Sequence, residues 1–195
     1  MAITLNGGTG VITGVAVGGL PDGVVDAGTL ATNSVDSAEL IDGAIDASHL
    51  ASGVGTPIIG ASAYRSGGQL IADSTNVQIQ LNAEIYDTNS DFDHSSGYDY
   101  VVPENGKYVV CATIYLDAGN TTGYMEVMIY KNGSIIRGWQ HRPVIATSQG
   151  FGGTCVLNLA TNDSIELWLV HNMGSSIDVV SSSTLNVFDI QKIAE

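Results

Sequence analysis

The sequence predicts an all-β protein in which a jelly-roll sandwich follows a short N-terminal repeat stem. From residue 61 onward, short runs of alternating apolar and polar residues are separated by turn-forming residues, which is the pattern of half-buried strands. Glycine is abundant, at 24 residues, and charged residues make up only 13% of the chain. Both features favour sheets and tight turns over solvent-exposed helices. Strands at this density over roughly 130 residues indicate a sandwich of jelly-roll size.

A change in composition divides the chain near residue 60. All thirteen aromatic residues and all six basic residues lie at or after Tyr64. A segment that lacks both classes cannot build an ordinary globular core by itself, so it must find apolar partners elsewhere. We therefore predict a glycine-rich anchoring segment over 1–20, a repeat stem over 21–60 and a jelly-roll knob over 61–195.

The stem is predicted from a ten-residue repeat. Each unit has a β-branched residue followed by aspartate, and a leucine at the end of the unit. The β-branched residue favours an extended step, and the aspartate can cap a short helical turn that delivers the leucine. One unit buries too little apolar surface to be stable alone, so we expect three chains wound about one axis. The residues expected to line this trimeric stem are Val25, Leu30, Val35, Leu40, Ile45 and Leu50. The alternative is a flexible acidic linker.

Five segments of the knob are predicted to form strands or hairpins. They are NVQIQLNAEIY, GKYVVCATIYL, GYMEVMIYKNGSIIRGW, TCVLNLATNDSIELWLVHN and STLNVFDIQKI. In the third segment, Asn132 and Gly133 separate two apolar runs, and the Asn-Gly pair is a strong signal for a tight hairpin turn.

Several ordered motifs in the knob resemble the C1q/TNF-like domain family. They are the run over 82–93, the Ser-Gly-Tyr step over 96–98, the Pro-x-x-Gly-x-Tyr pattern over 103–108 and the later IYKNGSIIRG and VLNLATNDSIELWL segments. Asn162 stands where the family usually has glycine, and both residues accept turn conformations. The resemblance implies a ten-stranded jelly roll that packs as a homotrimer through its apolar faces.

The N-terminal part resembles the stems of tailed-phage fibre and spike proteins. The resemblance rests on the NGGTG start and on the stretch NSVDSAELIDGAIDASHL. It implies a structural virion protein, made in the host cytoplasm: a homotrimeric short fibre or spike that serves as a head fibre, capsid decoration, or tail fibre or needle. Its partners would be other virion proteins through the N-terminus and a host-surface glycan or protein at the knob. The alternative is a cellular C1q-like surface adhesin.

The charge of the chain argues against several partners. The formal net charge is −14, and the six basic residues are not clustered. Nucleic acids and anionic membrane surfaces both need clustered lysine and arginine, so neither is an expected partner. There is no run of eighteen apolar residues, and the first eight residues lack a basic region and an apolar run, so we expect neither membrane insertion nor a secretory signal.

No catalytic signature is present, so we expect neither enzyme activity nor a cofactor. The four histidines are scattered, and no nucleophile motif occurs. One loop alternates oxygen-bearing side chains in the manner of a calcium loop, but it lacks the glycine and the glutamate of an EF-hand. The calcium candidates are Asp87, Asn89, Asp91 and Asp93, and an ordinary surface loop is the preferred interpretation.

Two groups of residues are candidates for recognition by the knob. Trp139, His141 and Arg142 follow a predicted strand, and tryptophan and arginine are enriched in binding hot spots. Tyr98 and Tyr100 are the second group. For both, a contact between subunits of the trimer is the alternative.

The two cysteines lie in separate apolar runs. Cys111 falls within the second predicted strand segment and Cys155 within the fourth. We expect two reduced core thiols, although a disulfide needs geometry to decide.

Overall fold

The computed structural model describes residues 4–6, 11–13, 45, 49–50, 58–117, 122–143 and 147–194. The chain divides into two compact units, Met1–Thr56 and Pro57–Glu195. In the first unit, β1 (Thr4–Asn6) pairs antiparallel with β2 (Val11–Thr13). Among the predicted stem residues, Ile45 and Leu50 are exposed in the single chain. The others lie outside the described residues, and they are Val25, Leu30, Val35 and Leu40.

The second unit consists of antiparallel strands. In chain order they are β3 (Gly60–Tyr64), β4 (Gln69–Ile71), β5 (Val77–Gln78), β6 (Ala83–Asp87), β7 (Asp99–Val101), β8 (Gly106–Asp117), β9 (Met125–Lys131), β10 (Ser134–His141), β11 (Gln149–Leu159), β12 (Ser164–His171), β13 (Ile177–Val179) and β14 (Val187–Ala194). In the part of the chain that the structure describes, no helix is long and apolar enough to cross a bilayer.

The strands form two sheets that enclose one core. Among the described residues, sheet I has five strands, in the order β10-β9-β12-β5 with β7 also paired to β12. Counted over the same residues, sheet II has seven strands, in the order β4-β13-β8-β14-β3-β6 with β11 also paired to β8. The predicted all-β jelly-roll sandwich is therefore confirmed. The strands outnumber the ten implied by the resemblance; the predicted strand segment over 76–86, for example, divides into β5 and β6.

Strand β8 shows why this sequence forms a sandwich. Its residues alternate strictly, and every second side chain from Tyr108 to Leu116 is fully buried. The other side chains of β8 lie on the outer face of sheet II. Because successive residues of a strand point to opposite faces, the alternation places one row in the core and one row outside. The core row meets the buried residues of β9 and β12 in sheet I.

The hairpin turns explain two features of the sequence. Asn132 and Gly133 have φ values of 50° and 75°, as the turn between β9 and β10 requires. Asn162 also has a positive φ, of 70°, so it occupies the turn conformation that glycine would accept. The two turns are joined through Asp163, whose carboxylate accepts hydrogen bonds from the Asn132 amide and from Lys131 Nζ, the latter at 3.0 Å.

Candidate functional site

The predicted recognition residues of β10 lie in a seam where sheets I and II meet. Trp139 packs against the core, and its indole lies so close to Gly153 of β11 that a Cβ there would be 2.1 Å from Nε1. His141 stacks on Phe151 of β11 with a centroid distance of 5.4 Å. These contacts close the sandwich between β10 and β11. Arg142 is exposed just beyond the end of β10.

The second recognition group contains one error. Tyr100 is fully buried beneath the sheets, so it cannot contact a ligand, and the prediction for it is wrong. Its position on β7 opposite the buried Ile165 turns the side chain into the core. Burial, reinforced by Asp91, raises the pKa of its hydroxyl far above the ordinary value. Tyr98 is partly exposed and has a φ of 51° in the preceding loop.

The acidic loop that resembled a calcium site is organised by its own backbone. Asp87 accepts hydrogen bonds from the backbone N–H groups of Asn89 and Phe92. The Asp93 carboxylate accepts four more from Ser95 and Ser96, through both N–H and hydroxyl, and another from the N–H of Gly97. These bonds hold the pKa of Asp93 well below its usual range.

The remaining carboxyl of that loop behaves differently. Burial raises the pKa of Asp91, which favours its neutral form. Across residues 58–117, 122–143 and 147–194, no three histidine, cysteine or acidic side chains converge as metal ligands. The hydrogen bonds of Asp87 and Asp93 to backbone N–H groups of the same loop tie it down at the surface.

The two thiols lie on opposite faces of sheet II. Cys155 packs against the core, and burial raises its pKa. Cys111 lies opposite Thr154 on the outer face, with its side chain partly exposed, so the prediction of a core thiol is wrong for Cys111. Both thiols are free. Since Cys155 pairs in register with Val110 rather than with Cys111, the side chains point away from each other and no disulfide joins them.

The outer face of sheet II is almost without charge across its centre. Three rows of paired residues cross β11, β8, β14 and β3 there. From one row to the next they are Val156, Val109, Gln191 and Gly60; Thr154, Cys111, Asp189 and Ser62; and Gly152, Thr113, Val187 and Tyr64. We call these rows the uncharged face. Asp189 is the single ionisable carboxyl among them, and it accepts a hydrogen bond from the Ser62 hydroxyl.

Residues of these rows, together with neighbouring residues of β8 and β11, line a shallow depression of about 430 Å³. Its floor is formed by Cys111, Thr113 and the glycines of β11, and Tyr115 and Leu185 form part of its wall. Gly152 is required there, because a Cβ would lie 1.9 Å from the carbonyl oxygen of Ala112. Val156, at 53% exposure, stands beyond the depression. A surface of this kind suits contact with another protein surface better than chemistry.

The outer face of sheet I carries an aromatic pair that the sequence analysis missed. Tyr130 of β9 stacks on Trp168 of β12, with ring centroids 4.6 Å apart and an interplanar angle of 23°. Glu166 flanks Trp168 on the same strand, and Gln78 of β5 lies opposite it. We call this surface the aromatic face. The sequence did contain a signal for this face. Alternate residues of a strand share a face, so Trp168 lies on the same face as the charged Glu166 and on the opposite face from the apolar residues next to it.

Comparison with known proteins agrees with the fold. No family model matches the chain, and neither does any curated protein. The structure is similar to an Eiger TNF from S. frugiperda, with a TM-score of 0.56, 11% identity, and coverage of 72% of this chain and 95% of that one. It is also similar to murine APRIL (TM-score 0.55, 12% identity, coverage 70% and 100%) and to the globular domain of zebrafish complement 1qA (0.50, 15%, 70% and 98%). The chain thus has a C1q/TNF-like jelly-roll fold.

Proposed function

We propose that this chain is a non-enzymatic structural protein of a tailed-phage virion, a homotrimeric short fibre or spike. The N-terminal segment attaches to other virion proteins, the repeat stem joins three chains, and the jelly-roll knob is exposed at the particle surface. The knob binds the host surface or stabilises the particle. The observation that carries self-association is the uncharged face of sheet II.

The uncharged face contrasts with the chain as a whole. The chain has 20 acidic residues and a net charge of −14, yet Asp189 is the one charged residue in the three central rows of sheet II. Depletion of charge at the centre of a patch is typical of buried interfaces. The small residues of β8 and β11 allow a second backbone to approach closely, and the decad repeat supports three copies on one axis.

Self-association is tested by light scattering on the full chain. We expect a mass three times the 20.2 kDa of the single chain. Substituting Val156→Glu places a charge within the contact, and burying an unpaired charge is costly, so we expect the association constant to fall by about tenfold or more. Ile135→Glu is the matched control, because Ile135 is also 53% exposed but lies at the edge of sheet I. A monomer at micromolar concentration would contradict the proposal.

The place of the protein is tested by imaging. Gold-labelled antibodies against the knob should decorate intact phage particles, at the capsid or at the tail. Cell fractionation tests the alternative function, a cellular surface adhesin, with which the same fold is compatible. Protein found on the bacterial envelope in the absence of phage, and missing from purified particles, would refute the virion role.

A further inference from the structure

The large rings of the aromatic face of sheet I are fixed in position by their neighbours. Tyr130 retains only 8% of its surface, since it lies beneath Trp168, and Met128 beside it retains 2%. The exposed part of the pair therefore belongs to Trp168. A partly exposed tryptophan over a filled aromatic layer is a flat apolar platform.

Three separate contacts hold this platform. The indole Nε1 of Trp168 donates to Glu166 Oε2 at 2.7 Å. The ring stacks on Tyr130, whose hydroxyl accepts a hydrogen bond from the Asn76 amide at 2.8 Å. A side chain that is already ordered loses little conformational entropy when a ligand binds, so the ring is prepared for contact.

The rim of the platform is polar and has no base. The register places Glu126, Glu166 and Asp99 on this face. The basic residues of the sheet stand opposite buried residues: Lys131 opposite Ile165, Arg137 opposite Ile129 and His141 opposite Met125. Glu166 already accepts one hydrogen bond from Trp168, and Asp99 accepts one from Ser164. Both carboxylates keep further acceptor positions open. Such a rim repels anions and accepts hydrogen bonds from hydroxyl groups.

We infer that the aromatic face is a binding site for a neutral sugar. An indole face packs against the apolar C–H face of a pyranose ring, while carboxylate and amide groups at its edge receive the sugar hydroxyls. The geometry favours a sugar over an organic cation, because the two rings lie nearly parallel and offer one flat surface rather than the walls of an aromatic cage. The inference rests on the proposed exposure of the knob and names the chemistry of its ligand.

Fluorescence tests this directly, because the chain contains only two tryptophans. In the Trp139→Phe variant, Trp168 is the sole indole. We titrate this full-length variant with glucose, galactose, mannose and N-acetylglucosamine, and in separate arms with tetramethylammonium and N-acetylneuraminic acid. We expect a saturable change in emission with at least one of the four neutral sugars in the millimolar range. A response to none of the four overturns the inference, as does saturation by tetramethylammonium alone or by the anionic sugar alone.

Calorimetry on further variants locates the site. Trp168→Ala should weaken sugar binding by about tenfold or more, and Trp168→Phe, which keeps a ring over Tyr130, should weaken it less. Asn158→Ala is the matched control, since Asn158 is exposed on β11 of sheet II, and it should bind as the parent does. Binding that survives Trp168→Ala overturns the assignment. Light scattering on each variant separates the two proposals: a trimer that binds no sugar refutes only the sugar site, and a monomer that binds sugar refutes only the proposed assembly.

Discussion

The seam between β10 and β11 provides the sharpest test of the packing. Gly153 lies under the indole of Trp139, where a Cβ would be 2.1 Å from Nε1 and 2.3 Å from Cε2. Both distances are far below van der Waals contact, and the ring cannot swing away freely because it packs against the core. The Gly153→Ala substitution must therefore push Trp139 out of the seam.

The magnitude follows from two opposed effects. Overpacking a filled site costs about 1–3 kcal/mol. Replacing a glycine at an ordinary strand φ stabilises by about 0.4–1 kcal/mol through the unfolded chain. We expect a net loss of about 1–2 kcal/mol, which lowers the melting temperature of a chain of this length by roughly 2–8 °C.

A double-mutant cycle isolates the contact. In a Trp139→Ala background the whole ring that faces Gly153 is gone, so Gly153→Ala should become neutral or stabilising. Urea unfolding followed by far-ultraviolet circular dichroism, at one protein concentration, measures all four proteins. Gly150→Ala is the control on the same strand, because the nearest atom to its Cβ would be in the Tyr115 ring, at 3.2 Å. An equal loss with and without Trp139, or no loss with it, would refute this account of the seam.

Three other substitutions or reactions have distinct expected outcomes. Tyr100→Phe should leave the free energy of unfolding unchanged or raise it, since the buried Tyr100 hydroxyl has no hydrogen-bond partner among the described residues. Tyr108→Phe should instead cost about 1 kcal/mol by urea unfolding, because the Tyr108 hydroxyl donates to a backbone carbonyl. Burial acts to raise the pKa of Asp163, but hydrogen bonds to its carboxylate and the nearby Lys131 outweigh burial, so the pKa is lowered. The ionised Asp163 therefore stabilises the fold above its unfolded-state pKa, and this stabilisation is lost as the pH falls through its folded-state pKa. The deficit of Asp163→Asn relative to the parent, about 1–3 kcal/mol at neutral pH, should therefore shrink in acid urea titrations. Maleimide should label Cys111 before Cys155, read by mass spectrometry, and self-association should slow the labelling of Cys111; equal labelling of both thiols would contradict their placement on opposite faces.

The pattern of alternation was enough to predict the sheets, because burial on one face of a strand is written directly into its sequence. The same signal explains the accuracy for β8 and for the Asn132-Gly133 turn. The alternation did not predict which residues lie at the seam. Trp139 of β10 faces β11, which belongs to the other sheet and forms no ladder of backbone hydrogen bonds with β10. For that reason a residue that closes the sandwich resembled an exposed recognition residue.

The recognition prediction for Tyr100 was wrong for a related reason. The short strand β7 has three residues and begins after an irregular loop, so the inward or outward direction of Tyr100 could not be counted from a longer strand. Trp168 was the opposite case: its parity was readable, but it stands inside the nearly continuous apolar run IELWLV, which hides the outward positions. Register with Met128 on one side and Gln78 on the other is what places it on the outer surface.

The two outer faces suggest how the knob divides its work. Sheets I and II lie back to back, so a contact that covers the uncharged face of sheet II leaves the aromatic face of sheet I open in every copy. A single flat sugar platform with one tryptophan binds weakly, because it buries little of its ligand. In the proposed trimer, three such platforms would convert the second and third contacts into intramolecular events at a high effective concentration. Association through one sheet would thus supply the avidity that a single site on the other sheet lacks, and disrupting the trimer with Val156→Glu should weaken binding to a sugar-coated surface while leaving the affinity for the free sugar unchanged.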